Sequence, residues 1–276
     1  WFGIAGNAEI FYMPANIDEL SIVLQMNKEI FAVTVIGAGS NIIIRDGGIS
    51  GLVIKLGKEF NYITSSKERI KIGAATYDKA LSNYCLRNEI GGLEFFSGIP
   101  GTLGGAIKMN AGCYNHETKD VFLKAKCIDF RGKVSELVYS NNLFSYRKSN
   151  ISNDQIICDV YIKARYSQKD QILKKLKEIE KKRTETQPRQ VKTAGSTFKN
   201  PKDQTNRKAW EIIKEAGLGE YESNGICFSQ KHSNFIINKQ NISANLIEDF
   251  GEHIRSNVKE KLGINLRWEI KILGER

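Results

Sequence analysis

Two glycine-rich stretches hold most of the residues in this sequence that could do chemistry. The first is GAGSN at 37–41, with main-chain donors at Gly37 and Gly39 and side-chain donors at Ser40 and Asn41. It is not a dinucleotide fingerprint. The third glycine of GxGxxG would fall at Ile42, and the β-branched run after it reads as a strand rather than a helix. A tight Gly/Ser loop between strands can still bind an anion by turning successive N–H groups inward. Alone, the stretch reads equally well as a plain β-turn. The second stretch changes that balance: GIPGTLGGA at 98–106, then MNAGCY at 109–114. Gly98, Gly101, Gly104, Gly105 and Gly112 crowd around Thr102 and Ala111, and no Gly-Lys-Ser/Thr closes a Walker A loop. Such density points to a ligand or another backbone pressing close. Two such loops in one domain suit a long ligand with a central pyrophosphate. FAD fits that description, whereas a mononucleotide would need less.

Other chemistries find little support. The histidines are His116, His232 and His253, and there is neither a GxSxG elbow nor an HExxH pair. A hydrolytic triad and a metal site are therefore not expected. Cys85, Cys113, Cys127, Cys158 and Cys227 are odd in number, widely spaced and without a CxxC, which reads as a reduced, cytoplasmic protein. The net charge of +10 could attract nucleic acid, but no aromatics interleave the basic residues to stack on bases. A lysine-rich solvated surface accounts for it better. No apolar run reaches the roughly 20 residues of a membrane helix, so no membrane insertion is expected.

The elements that must position these loops follow from periodicity. Helices are expected over 17–30, 77–88, 169–183, 207–216 and 244–262; the last runs from Ser243 to Gly263 with an apolar stripe between. Strands are expected over 33–37, 41–45, 52–56, 70–74, 126–130, 133–138, 156–166, 234–238 and 266–273. The order does not alternate regularly, so an α+β fold is favoured over a doubly wound one. A boundary is placed after Pro188. It gives a cofactor-binding region over 1–188, with subdomains of roughly 1–57 and 58–188, and a smaller domain over 189–276. Trp1 in place of Met implies that an N-terminal segment is missing.

Taken in order, GAGSN, GIPGTLGGAIKMNAGCY, SYRKS at 145–149, GSTFKNP at 195–201 and LRWEIKILG at 266–274 resemble the UDP-N-acetylenolpyruvoylglucosamine reductase family. The likeness covers nearly the whole chain and fits the shorter branch, which lacks an extra tyrosine-bearing loop. Ala5, Cys113 and Asn115 depart from the usual pattern. The resemblance implies a vanillyl-alcohol-oxidase-like (PCMH-type) FAD-binding fold with a smaller C-terminal α/β substrate domain. It implies noncovalent FAD, NADPH as hydride donor, a UDP-linked amino-sugar substrate and a monomer. It also implies roles for single residues. Arg147 would grip the substrate carboxylate, for which a planar guanidinium fork is suited. Glu269 would be a second stabiliser, helpful only if it keeps or shares a proton. Ser196 would give a proton to a strongly basic carbanion, with Lys199 nearby. Tyr146, Lys199 and Asn200 would contact the UDP-sugar. His232 reads equally as a polar wall residue or a satisfied core histidine, and Cys113 as a small packing residue. An oxidase of the same fold has no reason to carry GSTFKNP with a distant Glu269. A nucleic-acid-binding protein should show a recognition motif, and none is present.

Overall fold

A computed structural model describes residues 1–4, 6–66 and 68–276. The departure at Ala5 lies outside the described residues. Helix α1 (Ile17–Asn27) starts where Asn16 accepts a hydrogen bond from the Glu19 N–H at 2.9 Å, and it buries Leu20 and Leu24. Strands β1 (Val33–Ile36), β2 (Ile42–Ile44) and β3 (Ile49–Lys55) follow, so the first glycine stretch does run from strand to strand. Then come β4 (Ile63–Ser65), β5 (Arg69–Gly73) and α2 (Asp78–Arg87). The second glycine stretch contains a helix that its composition hid, α3 (Leu103–Met109). Strands β6 (Phe122–Asp129), β7 (Val134–Val138) and β8 (Gln155–Lys163) lead to the lysine-rich α4 (Lys169–Thr186). The chain ends with α5 (Ala209–Glu215), β9 (Ile226–Ser229), β10 (His232–Asn238), α6 (Ala244–Leu262) and β11 (Lys271–Leu273). The expected strand over 266–273 is thus only its last three residues. Residues 266–270 run alongside 197–199 through a single bridge, Phe198 to Trp268, and hydrogen bonds flanking it.

The chain divides into two compact units, and the division is not the linear one expected. The larger comprises residues 10–38 and 51–182; the smaller comprises 1–9, 39–50 and 183–276. Residues 39–50 belong with the C-terminal part because β2 pairs in parallel with β11, Ile43 opposite Ile272. Parallel pairing between strands so far apart in sequence leaves no local mark.

In the larger unit a five-stranded antiparallel sheet runs in the order β7-β6-β8-β5-β4, and β1 pairs in parallel with β3. One core collects Ile70, Ile72, Leu81, Phe95, Phe96 and Leu103, which tie α2 and α3 to the sheet. A second packs Leu20 and Leu24 of α1 with Leu52, Ile54, Ile128 and Ile156. In the smaller unit β9 and β10 pair antiparallel. Ile212 and Ile213 of α5 and Ile247, Phe250, Ile254 and Val258 of α6 bury themselves with Phe198 and Ile236. Those α6 positions repeat at helical spacing, and Gly263 (φ 68) closes the helix in the left-handed conformation.

Candidate active site

The larger unit brings the start of the first glycine stretch, Gly37, against the second. A Cβ placed on Gly37 would stand 2.6 Å from Thr102 Oγ1, and one on Gly105 would meet only that same hydroxyl, at 3.7 Å. The second stretch is anchored by the start of α2. The Leu103 and Gly104 N–H groups donate to Thr76 and Ala74 carbonyls, both at 2.9 Å, and the Asp78 N–H donates to Gly101 O at 3.1 Å. This lacing, not the glycines' own preference, fixes the loop's path.

The glycines divide into two kinds. Gly105 is exposed, and a Cβ there would make only an ordinary contact with the Thr102 hydroxyl. In the smaller unit Gly39 (φ 72) likewise meets nothing closer than 3.8 Å, and its left-handed backbone excludes most side chains. These two can admit a ligand. By contrast, a Cβ on Gly98 would meet Cys113 Sγ at 2.7 Å, and one on Gly104 would meet Ala74 at 3.0 Å. On Gly112 it would collide with the His116 carbonyl. Those three are glycine because their own chain fills the space. Taken unit by unit, Gly37 and Gly105 beside the Thr102 hydroxyl in the larger, and Gly39 followed by Ser40 and Asn41 in the smaller, each suit a phosphate-bearing ligand that approaches main chain closely.

Arg147 lies in the turn of a hairpin in which Phe144 pairs with Ser149 and Ser145 with Lys148. Its φ is +54, unusual for a residue with a side chain. Its Nη2 donates to Gly112 O at 2.6 Å, and its guanidinium carbon sits 5.2 Å from the centre of the Tyr146 ring. The MNAGCY stretch that the sequence assigned to the cofactor therefore also holds the arginine.

In the smaller unit Ser196 and Glu269 come onto neighbouring segments. The Thr197 carbonyl accepts from the Glu269 N–H at 2.8 Å, and the Lys199 N–H donates to Arg267 O at 2.8 Å. Asn41 of the first glycine stretch joins them: its Nδ2 donates to Glu269 O at 3.0 Å, and its carbonyl accepts from the Lys271 N–H at 3.0 Å. Asn200 Oδ1 accepts from the Ala209 N–H at 2.9 Å, so it also ties down the start of α5.

Sequence reasoning missed Asn234, which is 3% exposed. Its Oδ1 accepts from the Phe198 N–H at 2.9 Å, its Nδ2 donates to Phe198 O at 2.8 Å, and its carbonyl accepts from the Thr197 N–H at 2.7 Å. An asparagine inside the apolar run of 234–238 was the available signal, since a buried amide must find partners. His232 is half-buried between Trp210 and Phe235, at 6.2 and 4.7 Å between ring centres. Its Nδ1 accepts from the Asn234 N–H, and burial pushes its pKa down to about 4. Of its two readings, the packed neutral imidazole is the one this geometry supports. Cys113 Sγ donates to Phe95 O at 3.1 Å, consistent with packing.

Comparison with known proteins gives the arrangement its context. Residues 187–273 match the family model described as UDP-N-acetylenolpyruvoylglucosamine reductase, C-terminal domain, and residues 8–137 match an FAD binding domain. The chain is 42% identical over 274 residues to the UDP-N-acetylenolpyruvoylglucosamine reductase of Rickettsia felis, covering 99% of this chain and 92% of that one. It is 41% identical over 275 residues to the enzyme of the same name from Rickettsia prowazekii, covering 100% and 92%. The solved structure of the reductase from Thermus caldophilus superposes with a TM-score of 0.85 at 29% identity, over 99% of this chain and 94% of that one. The fold is α+β, an FAD-binding domain joined to the family's C-terminal domain. From the glycines that leave room beside their backbone to the paired segments of Ser196 and Glu269, and from full-length identity above 40%, the conclusion is that this chain belongs to the UDP-N-acetylenolpyruvoylglucosamine reductase family of FAD-containing oxidoreductases.

Proposed function

We propose that this chain reduces UDP-N-acetylglucosamine enolpyruvate to UDP-N-acetylmuramate, a step in peptidoglycan precursor synthesis, as a cytoplasmic monomer without a nucleic-acid partner. Among the described residues no helix is long and apolar enough to cross a membrane. FAD, when bound, takes hydride from NADPH and supplies it to the terminal vinyl carbon of the substrate. Addition at that carbon leaves negative charge on the carbon beside the carboxylate. Arg147 stabilises that charge by holding the carboxylate in its permanently charged, planar fork. Glu269 is the second stabilising carboxyl, which helps rather than repels only while it keeps or shares a proton. Ser196 gives its hydroxyl proton to the carbanionic carbon; a positioned weak acid suffices against so strong a base. Tyr146, Lys199 and Asn200 orient the UDP-sugar, and the glycine stretches with Ser40, Asn41, Thr102 and Ala111 hold the dinucleotide.

The observation that carries this reading is the pair of hydrogen bonds on Glu269. Its N–H donates to Thr197 O at 2.8 Å and its carbonyl accepts from Asn41 at 3.0 Å. The segment that carries Ser196, the main chain of Glu269 and Asn41 of the first glycine stretch are thereby tied together inside one unit.

Anaerobic stopped-flow spectroscopy of Ser196→Ala tests it. NADPH should bleach the flavin absorbance at the wild-type rate, whereas its return on adding the enolpyruvyl substrate should slow by orders of magnitude. An unchanged second phase would remove Ser196 from the role, and a colourless folded protein unable to take up FAD would remove the reading altogether.

A further inference from the structure

Arg147 is gripped from outside its own hairpin. Gly112 and Glu117 are cross-strand partners in a neighbouring two-stranded hairpin, and both face the guanidinium. Gly112 O accepts from Nη2 at 2.6 Å, and Glu117 Oε1 stands 3.9 Å from Nη1. The two side chains are only 18% and 19% exposed, so their attraction is screened less than at an open surface. The carboxylate is itself fixed. Its Oε2 lies 2.9 Å from Lys119 Nζ and accepts from Asn110 Nδ2 at 3.2 Å. Asn110 is fully buried at φ 45. Its Nδ2 also donates to Ser145 O at 2.9 Å, and its Oδ1 accepts from the Lys119 N–H at 3.0 Å. One amide thus ties the Glu117 hairpin to the turn that carries Arg147.

We propose that Glu117 is a positioning residue that aims the Arg147 guanidinium at the substrate carboxylate; this rests on the role proposed for Arg147 above. The distances favour aiming over neutralisation. Lys119 makes the closer contact with Glu117, so the carboxylate is shared between two cations and Arg147 keeps net positive charge for an incoming anion. The stretch following the second glycine loop therefore serves the substrate as well as the cofactor.

Isothermal titration calorimetry of the holoenzyme tests this with two ligands, UDP-N-acetylglucosamine enolpyruvate and UDP-N-acetylglucosamine, which lacks the carboxylate. In Glu117→Gln, affinity for the enolpyruvyl ligand should fall roughly tenfold, the scale of one charge-assisted hydrogen bond, while affinity for the other stays within about twofold. Glu117→Gln should cost nothing further in an Arg147→Ala background. Equal losses for both ligands, no loss for either, or additive losses would overturn the inference. If Glu117→Gln fails to retain FAD, Glu117→Asp takes its place, with the same selective loss expected in smaller degree. Arg147→Ala separates the two claims. If it binds the enolpyruvyl ligand as tightly as wild type, the role of Arg147 falls and this inference with it. If it loses that affinity while the Glu117 variants keep theirs, only the inference about Glu117 falls.

Discussion

At the scale of single residues, Arg147 shows how much a local motif can and cannot say. Its type and its place in SYRKS suggested an anion grip. Its conformation was hidden, because φ +54 follows from the pairing of Ser145 with Lys148 on either side of a two-residue turn. Such a position suits glycine or asparagine, and holding another residue there costs about 1–2 kcal/mol. Arg147→Gly should therefore leave stability in urea within about 1 kcal/mol of wild type, since relieved strain offsets the lost contact and the more flexible unfolded chain. Turnover should nevertheless fall by about 100-fold or more. A variant several kcal/mol less stable would identify the arginine as structural. The glycines teach the converse. Density alone could not separate Gly105, exposed and uncrowded, from Gly112, whose missing side chain makes room for the His116 carbonyl.

At the scale of elements, legibility followed the range of the forces involved. Helix α6 was readable end to end because a Ser243 cap, an apolar stripe and Gly263 are local signals. Helix α3 was not, because LGGAIKM carries two glycines that disfavour a helix; its position is imposed by hydrogen bonds to residues 74 and 76. The GSTFKNP segment owes its place to Asn234 of β10, whose side chain satisfies both main-chain groups of Phe198. Asn234→Ala strands an N–H and a carbonyl in a buried setting, each worth about 1–3 kcal/mol. Chemical denaturation should show a loss of about 2–5 kcal/mol, and a loss below about 0.5 kcal/mol would mean that other groups hold this segment.

For the molecule as a whole, one buried carboxyl stands out. Asp78, at the start of α2, is fully buried, and neither of its carboxyl oxygens has a hydrogen-bond partner among the described residues. Burial raises its pKa well above the ordinary aspartate range. The folded state therefore holds this proton after the unfolded state has released it. The contribution of Asp78 is fully favourable below the unfolded pKa. It is lost as pH rises above that value, by about 1.4 kcal/mol per pH unit, until the folded carboxyl ionises. Asp78→Asn, which cannot ionise, should be more stable than wild type at pH 7, with the advantage shrinking as pH falls toward 4. Thermal melts across that range would show it; a parallel offset at every pH would mean that Asp78 titrates alike in both states.

The parallel pairing of residues 42–44 with 271–273 also bears on biosynthesis. During translation the isoleucine triplet emerges long before residues 271–273, its hydrogen-bonding mate, leave the ribosome. Meanwhile an apolar edge stays open to wrong partners. Nor can the C-terminal portion be cut out at the sequence boundary and expected to fold, since Arg45, which clasps Glu248 of α6 at 2.7 Å, would stay behind with that triplet.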